Sequence, residues 1–303
     1  MHLVRYQPQG EPPRVGILAS DAILRVAEAR SMAHLLRLPH DELRTVVESA
    51  AAAGRTDDAD TVRLLPPIDG RAEVWCAGVT YARSRGARME ESTEQSVYDK
   101  VYEAPRPELF PKSPAWRLVT ESEPIGIRAD SGHDVPEPEL AVVVNAHQEV
   151  VGYTVCNDVS SRSIEGENPL YIPQAKVFAG GCSLASGIRP AWEVADPTDL
   201  TIRLVVHRDG AEAYAGHTST ARLARSLEEL VGCLGVANDF PDGVVLATGT
   251  GIVPELDFAL KADDVVEIEI DQVGRLVNPV HVGKDAFGWL ADEAAERPTL
   301  ETR

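Results

Sequence analysis

Between residues 4 and 26 short apolar stretches, at 15–18 and 23–26, alternate with turn residues and predict strands. Two helices are expected next. One starts behind Ser31 as N-cap. The other runs from an Asp41 cap to a Gly54 stop, with Leu43, Val46, Val47 and Ala50 on one face. The polar stretch 54–60 and the run Leu64-Leu65-Pro66-Pro67 read as a linker, closing a small α+β domain near residue 70. The texture then changes. Runs at 74–79, 140–144, 150–155, 200–207, 244–247 and 265–270 are rich in β-branched residues and bounded by Gly, Pro, Asn or Asp. One clear helix interrupts them, where Ser226 and Glu229 form a capping box ahead of Leu230, Val231 and Leu234. Strands outnumber helices without βαβ alternation, so the expected fold class is α+β with a mostly antiparallel, mixed sheet. The segment 81–103 is dense in Arg, Glu and Ser, with Tyr98, Val101 and Tyr102 on one helical face. It reads as a solvated surface helix or as a lid over a nearby site. The charged end from about residue 291 is expected to fray.

Composition narrows the classes. At 303 residues, 44% hydrophobic and 25% charged, the chain is a soluble globular protein with room for a large core. No apolar run approaches the ~20 residues of a membrane helix. The opening MHLVRYQPQGEPPRVG has no apolar segment behind its basic residue, so a cytoplasmic location is expected. Lys and Arg number 29 against 48 Asp and Glu, a net charge of −19 with no basic tract. Neither nucleic acid nor a membrane is therefore an expected partner. The same field opposes a small anionic substrate unless a metal or local cations reverse it at the site. Cys76, Cys156, Cys182 and Cys233 are far apart, three of them in apolar text, as inert thiols in a reducing compartment would be.

Candidate chemistry concentrates in VPEPELAVVVN and the following EVVGYTVCNDVSSRS. Residues i and i+2 of a strand face one side, so Glu137 and Glu139 project together. A turn over 145–148 folds the second strand back. Pairing Val144 with Glu149 then puts Asp158 opposite about Val135, near Glu137. Three converging carboxylates need compensation, and a divalent cation is the simplest. All-oxygen ligation favours Mg²⁺, with Mn²⁺ or Ca²⁺ as alternatives, and leaves about three of six positions open. The alternative on spacing alone is three separate carboxylates on an exposed hairpin.

The stretches PELFPKSPAW, PEPELAVVVN, GYTVCNDVSSRSIEGENPLYIPQAKV and LATGTGIVP resemble the fumarylacetoacetate hydrolase family, over about residues 71–282. The run NDVSSRSIEGENPLYIPQAK is similar to its sugar-acid dehydratase branch, which acts on 2-keto-3-deoxy-D-arabinonate or -xylonate. The resemblance implies a small N-terminal α+β domain over residues 1–70, a β-roll catalytic domain over 71–290 and a charged tail over 291–303. It also implies a homo-oligomer, dimer or tetramer, and a Mg²⁺-dependent hydro-lyase acting on a small anionic 2-keto acid. The product would be 2,5-dioxopentanoate. Carried over residue by residue, the metal ligands fall on Glu137, Glu139 and Asp158. The active-site lysine falls on Lys176 and the branch's acidic residue on Glu108. Thr250 matches a carboxylate-binding threonine, Lys112 a basic residue lining the cavity, and Arg162 a substrate contact. One departure separates the chain from the family's hydrolases. Three residues after the tyrosine of Gly78-Val79-Thr80-Tyr81 they carry a water-activating histidine, and here stands Ser84. A second departure follows the lysine, where the family branch has an acidic residue and a Gly-Pro and this chain has Phe178-Ala179-Gly180-Gly181 and later Ala185-Ser186. The rival readings are a C–C hydrolase or decarboxylase of a diketo acid and, outside catalysis, a silent 2-keto-acid-binding protein.

Overall fold

The computed structural model describes residues 1–54, 56–84, 86, 100–292 and 297–298. Most of the expected lid at 81–103 lies outside the described residues. Among the described residues twelve strands form one sheet, whose main path is Thr56–Asp58, Ala22–Arg25, Arg14–Ala19, His2–Pro8, Gly187–Pro190, Val150–Asp158, Pro138–Val144, Val244–Ala247, Glu73–Gly78 and Glu108–Pro114. Its pairs are antiparallel except Val244–Ala247 against Glu73–Gly78. A second, five-stranded sheet runs Ala211–Ser219, Thr201–Arg208, Val265–Ile270, Gly274–Val282 and Ile125–Ile127.

The large sheet is covered on both faces. Leu140, Val142 and Val155 pack with Leu204, Ile268 and Leu276 of the second sheet and with Leu230 and Leu234 of the Leu227–Gly235 helix. On the other face Ala141, Val143, Val245 and Ala247 pack with Leu35 and Leu36 of the Met32–Leu36 helix and with Leu43 and Val47 of the His40–Ala53 helix. Double burial explains why Pro138–Val144 reads as an unbroken apolar run after its glutamate.

The local signals hold at several ends. Ser31 Oγ accepts from His34 N, Ser226 Oγ accepts from Glu229 N, and Gly54 ends its helix at φ 66°. The long helix starts behind Pro39 rather than Asp41, without a side-chain cap. Glu229 does not close its half of the capping box, because its carboxylate pairs with Arg225. The run taken for a linker is in part a strand: in Val62–Leu65, Leu64 and Leu65 pair with Tyr6 and Arg5. The tail is held at Arg297, whose guanidinium binds the buried Glu123 carboxylate and the Leu118 carbonyl.

Candidate metal and active site

The Pro138–Val144 and Val150–Asp158 strands set the centre. Their register differs from the one read off the sequence. The turn closes through Asn145 N to Glu149 O at 3.0 Å, so Val144 pairs with Val150, and a bulge between Val143 and Val144 adds a further residue. Glu139 therefore faces Cys156, and Asp158 stands opposite Glu137 instead of Val135; Asp158 N donates to Glu137 O at 3.0 Å. The two extra residues keep the parity, so Glu137, Glu139 and Asp158 share one face, at the end of the core that contains Ala141 and Val143.

All three carboxylates are buried, with oxygens within 4.8 Å of one another. Three cations answer them. Lys176, at the end of the Ile172–Lys176 helix, donates to Glu137 Oε2 at 2.8 Å, Asp158 Oδ2 at 2.9 Å and Ser160 Oγ at 2.5 Å. Arg162 opens the Arg162–Glu167 helix and brings Nη2 to 2.8 Å from Glu137 Oε1. Lys112 Nζ donates to the carbonyls of Val159 and Lys176 at 2.9 and 2.5 Å. It also lies 2.6 Å from Asp158 Oδ1, an ion contact outside hydrogen-bond geometry, so that oxygen accepts no hydrogen bond among the described residues. Setting three buried cations against the carboxylates, with buried Glu165 a further 3.9 Å from Arg162, offsets much of the cost of burying them. Burial first, then the Asp158 and Glu137 carboxylates, push the Glu139 carboxyl well above its ordinary range; Lys176 and the Gly249 N–H oppose them. Three buried oxygen donors, one lacking a hydrogen-bond donor, fit a hard divalent ion, which would favour their ionised form.

The remaining expected residues border this cluster. Along Glu108–Pro114, Glu108, Phe110 and Lys112 project to one face. Lys112 meets Asp158, Phe110 lies under the Lys176 ammonium at 5.6 Å, and half-buried Glu108 opens that row. Its carboxylate lies over Gly78, where a Cβ would sit 2.0 Å from Oε2. Thr250 is buried, its hydroxyl turned back on Ile252, while the adjacent Gly249 N–H donates to Glu139 Oε2 at 2.7 Å. Sequence reasoning missed Ser160, Gly249 and Gly78; the serine of NDVSS and the glycines of LATGTG and G-x-x-Y were their only signals. Ser84, where the hydrolases carry histidine, caps its own turn: its Oγ donates to Tyr81 O at 2.8 Å and accepts from Tyr81 N. As expected, Cys76, Cys156 and Cys182 are buried free thiols; Cys233 is half-buried.

The family profile described as fumarylacetoacetate (FAA) hydrolase C-terminal matches residues 73–281. The chain belongs to the fumarylacetoacetate hydrolase family. Within that family it is 44% identical over 261 residues to the "Probable 2-keto-3-deoxyxylonate dehydratase" of Haloferax volcanii, covering 84% of this chain and 89% of that one. To the 2-dehydro-3-deoxy-D-arabinonate dehydratase of Saccharolobus solfataricus it is 42% identical over 223 residues, covering 72% and 74%. A solved 2-keto-3-deoxy-D-arabinonate dehydratase complexed with magnesium and 2,5-dioxopentanoate superposes with a TM-score of 0.78 at 35% identity, over 93% of this chain and 99% of that one. The α+β fold with mixed sheets agrees with that neighbour.

Proposed function

We propose that the chain dehydrates a 2-keto-3-deoxypentonate to 2,5-dioxopentanoate with Mg²⁺ at Glu137, Glu139 and Asp158. The observation that carries this reading is Lys176 Nζ seated against two of three buried carboxylates, in a chain 44% and 42% identical to dehydratases of such acids. The two relatives' names converge on one substrate, because a ketone at C2 and a methylene at C3 erase the centres that distinguish arabinonate from xylonate. When bound, the metal supplies a Lewis acid that polarises the C2 ketone. Lys176 takes the C3 proton onto Nζ once it has shed its own. Glu108 gives its proton to the C4 hydroxyl, the C4–O bond breaks and water leaves, which gives the C3–C4 unsaturated ketone; a C5 proton is then lost, C3 is protonated, and the C4–C5 enol so formed tautomerises to the C5 aldehyde of the product. Lys112 and Arg162 hold Asp158 and Glu137 in place and offset the chain's negative field for an anionic substrate. A histidine base for C–C hydrolysis is missing, and Ser84 is spent on a turn. A cytoplasmic homo-oligomer, dimer or tetramer, belongs to the same proposal.

The test is incubation with Mg²⁺ and a panel of 2-keto-3-deoxy sugar acids, read by mass. Loss of one water from the C5 acid is expected. Two fragments, or carbon dioxide, would move the chain to the hydrolase or decarboxylase reading.

A further inference from the structure

Tyr81 is buried to 2% exposure, and its hydroxyl has no hydrogen-bond partner among the described residues. The turn that carries the ring is held on several sides. Ser84 fixes the Tyr81 backbone from both sides, and Tyr81 forms an isolated bridge to Leu223. The preceding Thr80 donates to the Thr248 carbonyl at 2.6 Å and accepts, through its own carbonyl, the amide of Ala224. Val79, a β-branched residue, takes φ 54°, a left-handed conformation that such residues adopt only when their surroundings force it. One edge of the ring lies close to Gly251: a Cβ there would meet Cδ1 at 2.7 Å and Cε1 at 2.9 Å. Thr248, Gly249 and Gly251 thus bind the Tyr81 turn to the loop whose Gly249 N–H holds Glu139. A folded chain normally pairs a buried hydroxyl, and an idle one is a standing penalty. Strain at Val79 and an unpaired donor at Tyr81 occur together on one turn, beside a candidate metal ligand.

We propose that Tyr81 is a further substrate-contacting residue, whose hydroxyl donates a hydrogen bond to the carboxylate–ketone head of the 2-keto acid. The inference rests on the dehydratase reading and deepens it. A phenol keeps its proton at neutral pH, and burial together with the Glu139 carboxylate pushes this one higher, so the group serves as a donor and not as a base. The head group is the favoured partner because the Tyr81 turn is tied to the Glu139 side of the site, whereas the C4 hydroxyl belongs with Glu108.

The variant Tyr81→Phe separates this role from a structural one. Two measurements are made: the melting temperature of the metal-free protein, and the affinity of the Mg²⁺-loaded protein for pyruvate, which has the head group and cannot be dehydrated. The expected result is a melting temperature at or above wild type, since an unpaired hydroxyl is removed, with pyruvate affinity weakened about tenfold and Mg²⁺ affinity unchanged. A fall of several degrees, or equal pyruvate affinity in variant and wild type, would overturn the assignment. Failure of pyruvate to bind the wild-type protein is a different result, and would overturn the dehydratase reading itself.

Discussion

Gly78 is the seat of the Glu108 carboxylate, and replacing it by alanine should separate the two halves of the reaction. The glycine pairs directly with Glu108, and a Cβ at 78 would sit 2.0 Å from Oε2, 2.8 Å from Cδ and 3.3 Å from Cγ. The carboxylate must therefore retreat by roughly 1.5 Å to reach ordinary contact distance, and a misplacement of about 1 Å already costs on the order of 10²-fold in rate. That is about 2.7 kcal/mol of transition-state free energy, within the 10²–10⁴ of a complete loss of general-acid help. Because the end of a flexible side chain moves, and alanine is at least as good as glycine in a strand, stability should hold or rise slightly. The assay follows two rates in D₂O: exchange of the C3 hydrogens by NMR, and formation of 2,5-dioxopentanoate. On the proposed mechanism exchange needs Lys176 and the carboxylates but not Glu108. Gly78→Ala and Glu108→Gln should both keep exchange within a few-fold and lose dehydration. Dehydration by Gly78→Ala at the wild-type rate, or loss of exchange along with it, would refute the reasoning.

Further outcomes follow from the same contacts. Glu137→Gln takes one carboxylate charge out of the candidate ligand set and leaves Lys176 and Arg162 short of an anion, so the rise in melting temperature on adding Mg²⁺ should shrink by most of its size; an undiminished rise sinks the ligand set. Lys112→Met leaves two carbonyls and Asp158 without their buried cation, and denaturant titration should show about 3 kcal/mol of lost stability; a loss under about 1 kcal/mol would show that the contact is not structural. Burial holds the His2 imidazole below its ordinary value of 6.5, against the Val273 carbonyl that it meets at 2.7 Å. A folded-state value below the unfolded one means stability present above pH ~6.5 and lost as the pH falls through the depressed value. His2→Gln should flatten melting temperature against pH over that interval, and an unchanged slope would exclude His2 as its source.

Much of the site was legible because it is local. Glu137 and Glu139 share a face through the two-residue period of extended backbone, whatever packs around them. Caps at Ser31 and Ser226 and the stop at Gly54 are equally short-range, and all three hold. The motifs that carry the family resemblance are also continuous in sequence, which is why the candidate ligands could be numbered without a fold.

Tertiary structure decided what depends on distant chain segments. A bulge between Val143 and Val144 leaves no mark in a run of valines, yet with the longer turn it moves Asp158 two places, to face Glu137. Leu64 and Leu65 resemble a linker until Tyr6 and Arg5 offer them an edge to pair with. No spacing rule brings Lys112, Arg162 and Gly249 to three carboxylates on other strands, nor the Arg297 guanidinium to Glu123. Backbone covalent geometry acts within a few residues, and the sequence states its consequences openly. Charge compensation in a buried cluster arises only after long loops have closed and both faces of a sheet are covered, so the pairing of these carboxylates with Lys112, Arg162 and Lys176 belongs to the folded chain alone.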